Sequence, residues 1–159
     1  MSNTSITTFT HGAEQAQQWV NELDDDLNWG DKGRSYRLLR AVLHTMRDFL
    51  SIEEVADLSA QLPILIRGVF FEGWDPSTAP VWKRKKQDFI AQVTSDFNND
   101  PLGNPDVAIA AVFRLIDRHI SQGEITQVRN AMQKSLRNLW PGDIANDEGQ
   151  RHNLDESQF

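Results

Sequence analysis

The 159-residue sequence contains no cysteine. That excludes a disulfide frame, a thiolate nucleophile and a sulfur-bound zinc site, and it fits a reducing compartment. No uninterrupted apolar run approaches the roughly 20 residues that a membrane span requires. The first ten residues are rich in Ser and Thr and lack the basic start and apolar stretch of a secretory signal. A cytoplasmic protein without a membrane partner is therefore expected. Also missing are a phosphate-cradling glycine loop, a Gly-x-Ser-x-Gly elbow, a His-Glu-x-x-His pair and a calcium-loop pattern. No catalytic residue, metal ligand or cofactor is assigned on this basis, and a non-enzymatic protein is the expectation. Strict apolar/polar alternation, the mark of half-buried strands, is absent as well.

What the chain does contain is a repetition at an ungapped offset of seventy residues. Leu39, Ala41, Val42, Leu43, Met46 and Leu50 fall opposite Ile109, Ala111, Val112, Phe113, Ile116 and Ile120. Trp19, Val20, Leu23 and Leu27 fall opposite Phe89, Ile90, Val93 and Phe97, and Leu58, Leu62, Ile66 and Phe70 opposite Val128, Met132, Leu136 and Trp140. Within each half the apolar residues recur at three and four positions, which gathers them on one stripe of an α-helix. An all-α fold follows, with helices near 13–28, 36–50, 52–61 and 63–72 and their counterparts near 83–98, 106–120, 122–131 and 132–140. The expected organisation is a disordered N-terminus over 1–12, a four-helix repeat over 13–75, a connector over 76–82, a second repeat over 83–142 and a mobile acidic tail over 143–159. Residues 13–142 are expected to form one structural domain, a size that buries about two thirds of the unfolded surface.

Local signals mark the boundaries. Ser51 with Glu54, and Ser121 with Glu124, have capping-box spacing, in which the hydroxyl takes a first-turn N–H and the glutamate reaches back to the serine N–H. Asn104-Pro105 reads as an N-cap followed by proline at the first helical position. Ser35 is the candidate cap of the second helix. Pro63 starts the fourth helix, and Gly73 and Pro141 end theirs. The run Leu39 to His44 with Arg47-Asp48, then Ser51 to Glu54, Ala60-Gln61-Leu62-Pro63, Leu65-Ile66-Arg67-Gly68 and Phe71-Glu72-Gly73-Trp74-Asp75 resembles a bacterial family, domain of unknown function 2267 (DUF2267). The resemblance extends from about Ala13 to Trp140 and rests most specifically on Gln61-Leu62-Pro63 and Glu72-Gly73-Trp74. It implies an all-helical domain and brings no activity, cofactor or catalytic residue with it.

The net charge of −7 is unevenly divided. Residues 11–75 carry six basic and twelve acidic side chains, residues 76–142 carry nine and six, and the tail from 143 carries one and five. Opposite signs on the two halves favour their docking, or association between copies; unconstrained variation of surface charge is the plainer reading. Nucleic acid is not an expected partner, because a strongly basic face is lacking. The basic block Lys83-Arg84-Lys85-Lys86 opposes the helix dipole if it opens a helix and is expected to be solvated unless an acidic partner answers it, with Asp24-Asp25-Asp26 a candidate. That acidic run is otherwise read as a solvated helix face.

Candidate binding residues are Arg67, Arg137, Phe71, Trp74 and Trp82. Arg67 and Arg137 occupy matching positions, and each suits either a structural bridge to a carboxylate or to helix-end carbonyls, or a shared anion site. Phe71, Trp74 and Trp82 crowd the junction between the halves, where aromatic residues seal a contact or anchor a partner. His44 and Asp48 sit four apart, a spacing that suits metal binding or proton transfer; a local His–Asp pair is the plainer reading. The functional expectation is an interaction or regulatory module that binds a protein partner or self-associates. The alternative is a small-molecule or anion-binding protein using the repeat junction.

Overall fold

In the computed structural model, residues 5–78, 80, 85–131 and 139–140 are described. They form α1 (Thr7–Leu27), α2 (Lys32–Phe49), α3 (Ile52–Gln61), α4 (Ile64–Phe71), a 3-10 turn (Pro76–Thr78), α5 (Lys86–Ser95), α6 (Pro105–His119) and α7 (Gln122–Ala131). No strand occurs among the described residues, so the all-α expectation holds there.

Two helices carry apolar residues on more than one stripe and must be covered from several sides. On α2, Leu38, Leu39, Ala41, Val42, Leu43 and Met46 are buried, and α1, α4, α5 and α6 all pack against it. On α6, Ala108, Ile109, Ala111, Val112, Phe113, Leu115 and Ile116 are buried against α1, α2, α5 and α7. These two helices touch each other and form the centre of the core. Aromatic contacts extend it: Phe89 meets Phe49 edge-on at 5.3 Å, and Phe113 stacks on Trp140 at 4.3 Å.

The first turns follow the cap chemistry. Glu54 N donates to Ser51 Oγ at 3.3 Å and Ser51 N donates to Glu54 Oε2 at 3.0 Å, completing the capping box that opens α3. At α7 the start is marked by Ile125 N donating to Ser121 O. Asn104 Oδ1 accepts from Val107 N with Pro105 in the first turn of α6. Pro63 takes the N-cap position of α4, and Gly73 follows that helix with a left-handed φ of 72° that only glycine adopts without strain.

Several boundaries and surfaces differ from expectation. The N-terminus expected to be disordered over 1–12 is helical from Thr7, because α1 runs on far enough for Gly12 to be buried beneath α4. A Cβ at that glycine would lie 3.3 Å from Ile64 Cγ2, a tight contact that glycine avoids. Helix α2 starts at Lys32 rather than near 36, and its cap is Asp31, whose carboxylate accepts from Arg34 N, not Ser35. Ser35 is instead buried and donates to Asp24 Oδ1 at 2.7 Å, while Asp31 N donates to the same oxygen at 3.0 Å. Asp24 is therefore a buried clamp on the α1–α2 turn, not part of a solvated face. Asp26 pairs with Arg118, across the two halves.

Both charge signs serve the contact between the halves. Arg34 Nε donates to Asp100 at 2.8 Å, Arg37 reaches the same carboxylate at 3.3 Å, and on the other side Glu22 faces Arg118 and His119. Lys86 is answered by Asp106 at 3.3 Å, and Asp88 accepts the Lys85 N–H at the start of α5. Lys83, Arg84, Trp82, Arg137, the acidic tail and most of the expected helix over 132–140 lie outside the described residues; Leu139 and Trp140 are buried.

Leu62, at 2% exposure in the α3–α4 corner, belongs to this core. Leu62→Ala is expected to lower unfolding free energy by about 2–5 kcal/mol, measured as a fall in the urea midpoint. A midpoint equal to that of the wild type would remove Leu62 from the core.

Candidate functional site

Of the residues singled out in the sequence, Arg67, Phe71, Trp74, His44 and Asp48 lie among the described residues. Arg67, on α4, turns back over the end of α3: Nε donates to Ser59 O at 2.8 Å, and Nη2 donates to Leu62 O at 3.1 Å and Ala60 O at 3.4 Å. Its guanidinium thus lies on carbonyls at the end of α3, adding to the Leu62 N–H that Ser59 O already accepts. These bonds bridge Arg67 to helix-end carbonyls. Phe71 packs edge-on to Phe70 at 5.2 Å and lies 5.4 Å from Trp74, and both Phe71 and Trp74 are partly buried against the core. Trp82 and Arg137 are not among the described residues, so no geometry joins them to Arg67.

His44 and Asp48 face different partners. The His44 Nε2–H donates to Val69 O at 2.7 Å, tying α2 to α4. Burial pushes the imidazole pKa below its ordinary value, and the bond to the Val69 carbonyl opposes that shift. Asp48 instead accepts from Gln92 Nε2 at 2.9 Å and Arg47 Nε at 3.3 Å. Among the described residues no group of three or more His, Asp or Glu side chains is placed to hold a metal.

Two positions that the sequence reading passed over complete this end of the bundle. Arg47 is buried on α2, and its Nη1 donates to Phe70 O at 2.8 Å and Glu72 O at 2.6 Å, closing the C-terminal end of α4. The signal was an arginine flanked by the apolar run that ends in Met46 and Phe49, a place where a charge persists only with partners. Seventy residues on, Asp117 accepts from Trp140 Nε1 at 2.8 Å and Arg129 Nη2 at 3.1 Å.

Among the described residues, one open surface is an apolar trough of about 500 Å³ between α1, α2 and α4. Ala13, Ala16 and Val20 form its α1 wall, Tyr36 its α2 wall, and Leu65 and Val69 its α4 wall. Leu65 is 48% exposed and Tyr36 37%, and Ile64 beside them is 61% exposed. Lys32 is the single charged side chain among the described residues that line the trough. A second hollow of about 320 Å³ is polar, lined by Gln15, Gln18, Gln61 and His119 over Trp19. Its imidazole stacks on the Trp19 ring at 4.8 Å and bonds to Glu22. In chemical terms, a molecule entering the trough would remove apolar surface from water.

A family model described as "Uncharacterized conserved protein (DUF2267)" matches residues 16–139. The chain belongs to the DUF2267 family. No curated protein matches it. The DUF2267 match takes in α2, α4 and the C-terminal part of α1, and hence most of the trough; Ala13 and the turns before it precede the matched range.

Two measurements check these assignments. Arg67→Ala is expected to cost about 1–3 kcal/mol of stability, and Arg67→Lys to recover less than half of that loss, since a point charge cannot span three carbonyls; full rescue by lysine would mean that charge alone matters. For His44, the folded pKa lies below the unfolded value, so between the two the unfolded chain binds more protons and stability falls as pH drops. His44→Gln is expected to make the decline in melting temperature from neutral to mildly acidic pH shallower. A decline as steep as that of the wild type would mean that His44 carries no neutral-state preference.

Proposed function

We propose that this DUF2267 protein is a non-enzymatic, cytoplasmic interaction module that docks an apolar protein segment in the trough between α1, α2 and α4. The observation that carries the reading is the half-exposure of Leu65 and Tyr36 beside a hollow of about 500 Å³. Isolated exposed apolar residues are common, but a contiguous patch around a concavity marks an interaction surface. The length of the α1 wall, from Ala13 to Val20, matches about two turns of a partner helix laid alongside it. The aromatic junction around Phe71 and Trp74 serves the core in this reading, and Arg67 serves a helix end.

The scaffold behind the trough is read as two tandem four-helix repeats related by a pseudo-twofold axis. Supporting this, α3 and α7 span residues that coincide at an offset of seventy. Contacts also exchange under that offset. Helix α1 packs on α6 as α5 packs on α2. The Trp19–His119 stack at 4.8 Å corresponds to the Phe89–Phe49 contact at 5.3 Å, and the Glu22–Arg118 pair corresponds to Gln92–Asp48.

Affinity capture from the native host lysate, comparing the wild-type chain with Leu65→Asp and Tyr36→Ala, tests the docking reading. Both positions are exposed enough for the variants to keep the wild-type helical circular dichroism. A discrete protein retained by the wild type and lost with either variant is expected. Equal retention by all three, or none by any together with a chain that stays monomeric, would overturn the trough as the docking site.

A further inference from the structure

Among the described residues, the most exposed large apolar side chain lies on the α1 stripe that continues into the trough. Phe9 is 71% exposed and Ile6 56%, at the start of α1. Successive residues turn by about 100° along a helix, so Phe9, Ala13, Ala16 and Val20 share one stripe, with Ile6 at its edge. The stripe therefore has two unlike ends. At the N-terminal end bulky groups project with nothing over them, and from Ala13 to Val20 the side chains are small and the wall opens into the hollow beside Tyr36 and Val69.

We infer that the segment docked in the trough is the first two turns of α1 from a second copy of this chain, in an antiparallel, two-fold symmetric pair. The inference rests on the docking reading above and names its partner. A two-fold interface must be self-complementary, because the same patch meets itself. Antiparallel α1 helices crossing near Ala13 place Phe9 of each copy opposite Gln17 of the other, and Ile6 opposite Val20. Projections then lie over hollows at both ends of the contact. A parallel pairing would set Phe9 against Phe9 and leave both troughs open. Exposed Ala13 at the crossing lets the backbones approach closely, as small residues do between packed helices. Both copies contribute identically, so two hollows are filled by one association. Among the described residues that line the trough only Lys32 is charged, so the contact is made mainly of apolar groups.

Sedimentation equilibrium of the full chain over a dilution series ending at about 100 µM is the test, a range that reports micromolar association. The wild type is expected to approach the dimer mass at the upper end. Phe9→Ser and Ala13→Arg are each expected to weaken association at least about tenfold; both sites are exposed, and circular dichroism confirms that the variants fold. Because the native chain lacks cysteine, a single introduced thiol gives a second, geometric readout. Ala13→Cys is expected to be joined to its own counterpart by a short bismaleimide, and Glu53→Cys, exposed on α3 away from the trough, is not. A wild type that stays monomeric throughout, a dimer insensitive to both substitutions, or equal cross-linking at Ala13→Cys and Glu53→Cys would overturn the inference. A monomeric wild type that still captures a different protein through Leu65 and Tyr36 would leave the docking reading standing and remove only the self-pairing.

Discussion

The contact between α2 and α6 is the constraint on which the rest of the bundle depends. Each of these helices is apolar on several faces, so neither is stable with a single neighbour. Packed together, they present further apolar flanks that α1 and α5 cover from opposite sides, each lying on the central helix of the other half as well as on that of its own. A half taken alone would expose the flank that the other half's first helix covers. The halves are consequently interdependent, and the ion pairs that join them, Arg34 with Asp100 and Glu22 with Arg118, sit at the rim of a contact made mainly by burial.

Burial at this density leaves backbone groups at helix ends without water, and the chain answers with long or short polar side chains chosen by distance. Arg47 reaches from α2 to the carbonyls that end α4; Arg67 reaches from α4 to those that end α3; His44 takes the Val69 carbonyl. Asp24 performs the opposite task, accepting an N–H and a hydroxyl where α1 turns into α2. Such groups look like functional candidates in a sequence because charged residues in apolar runs are rare. Here their donors and acceptors point into the scaffold, and the trough between α1, α2 and α4 is apolar.

Most of the helical layout was legible in the residues. The stripes of α3 and α7, the capping box at Ser51 and the Asn104-Pro105 start depend on interactions within a few residues of each other, which is why pattern and structure agree closely there. The extra turns at the start of α1 were not legible, since the feature that uses them is Gly12 beneath Ile64, fifty residues away in the chain. The cap of α2 was misplaced for the same reason: Ser35 has the chemistry of a cap, but Asp24 engages its hydroxyl from a neighbouring helix. The trough was not legible because its lining comes from three helices, and only their packing makes a concavity of residues such as Ala13, Val20, Tyr36 and Leu65.

Taken alone, the amino-acid order determined an all-helical chain, the length and phase of its amphipathic stripes and the family to which it belongs, all properties set by spacing along one helix. The tertiary structure decided which polar groups are spent on backbone partners and where apolar surface stays open. The physical reason is that hydrogen-bond satisfaction and exposure are relations between segments distant in sequence: the spacing that makes Arg67 helical is silent about the end of α3, and the residues that line the trough come from three helices whose separation no local pattern encodes.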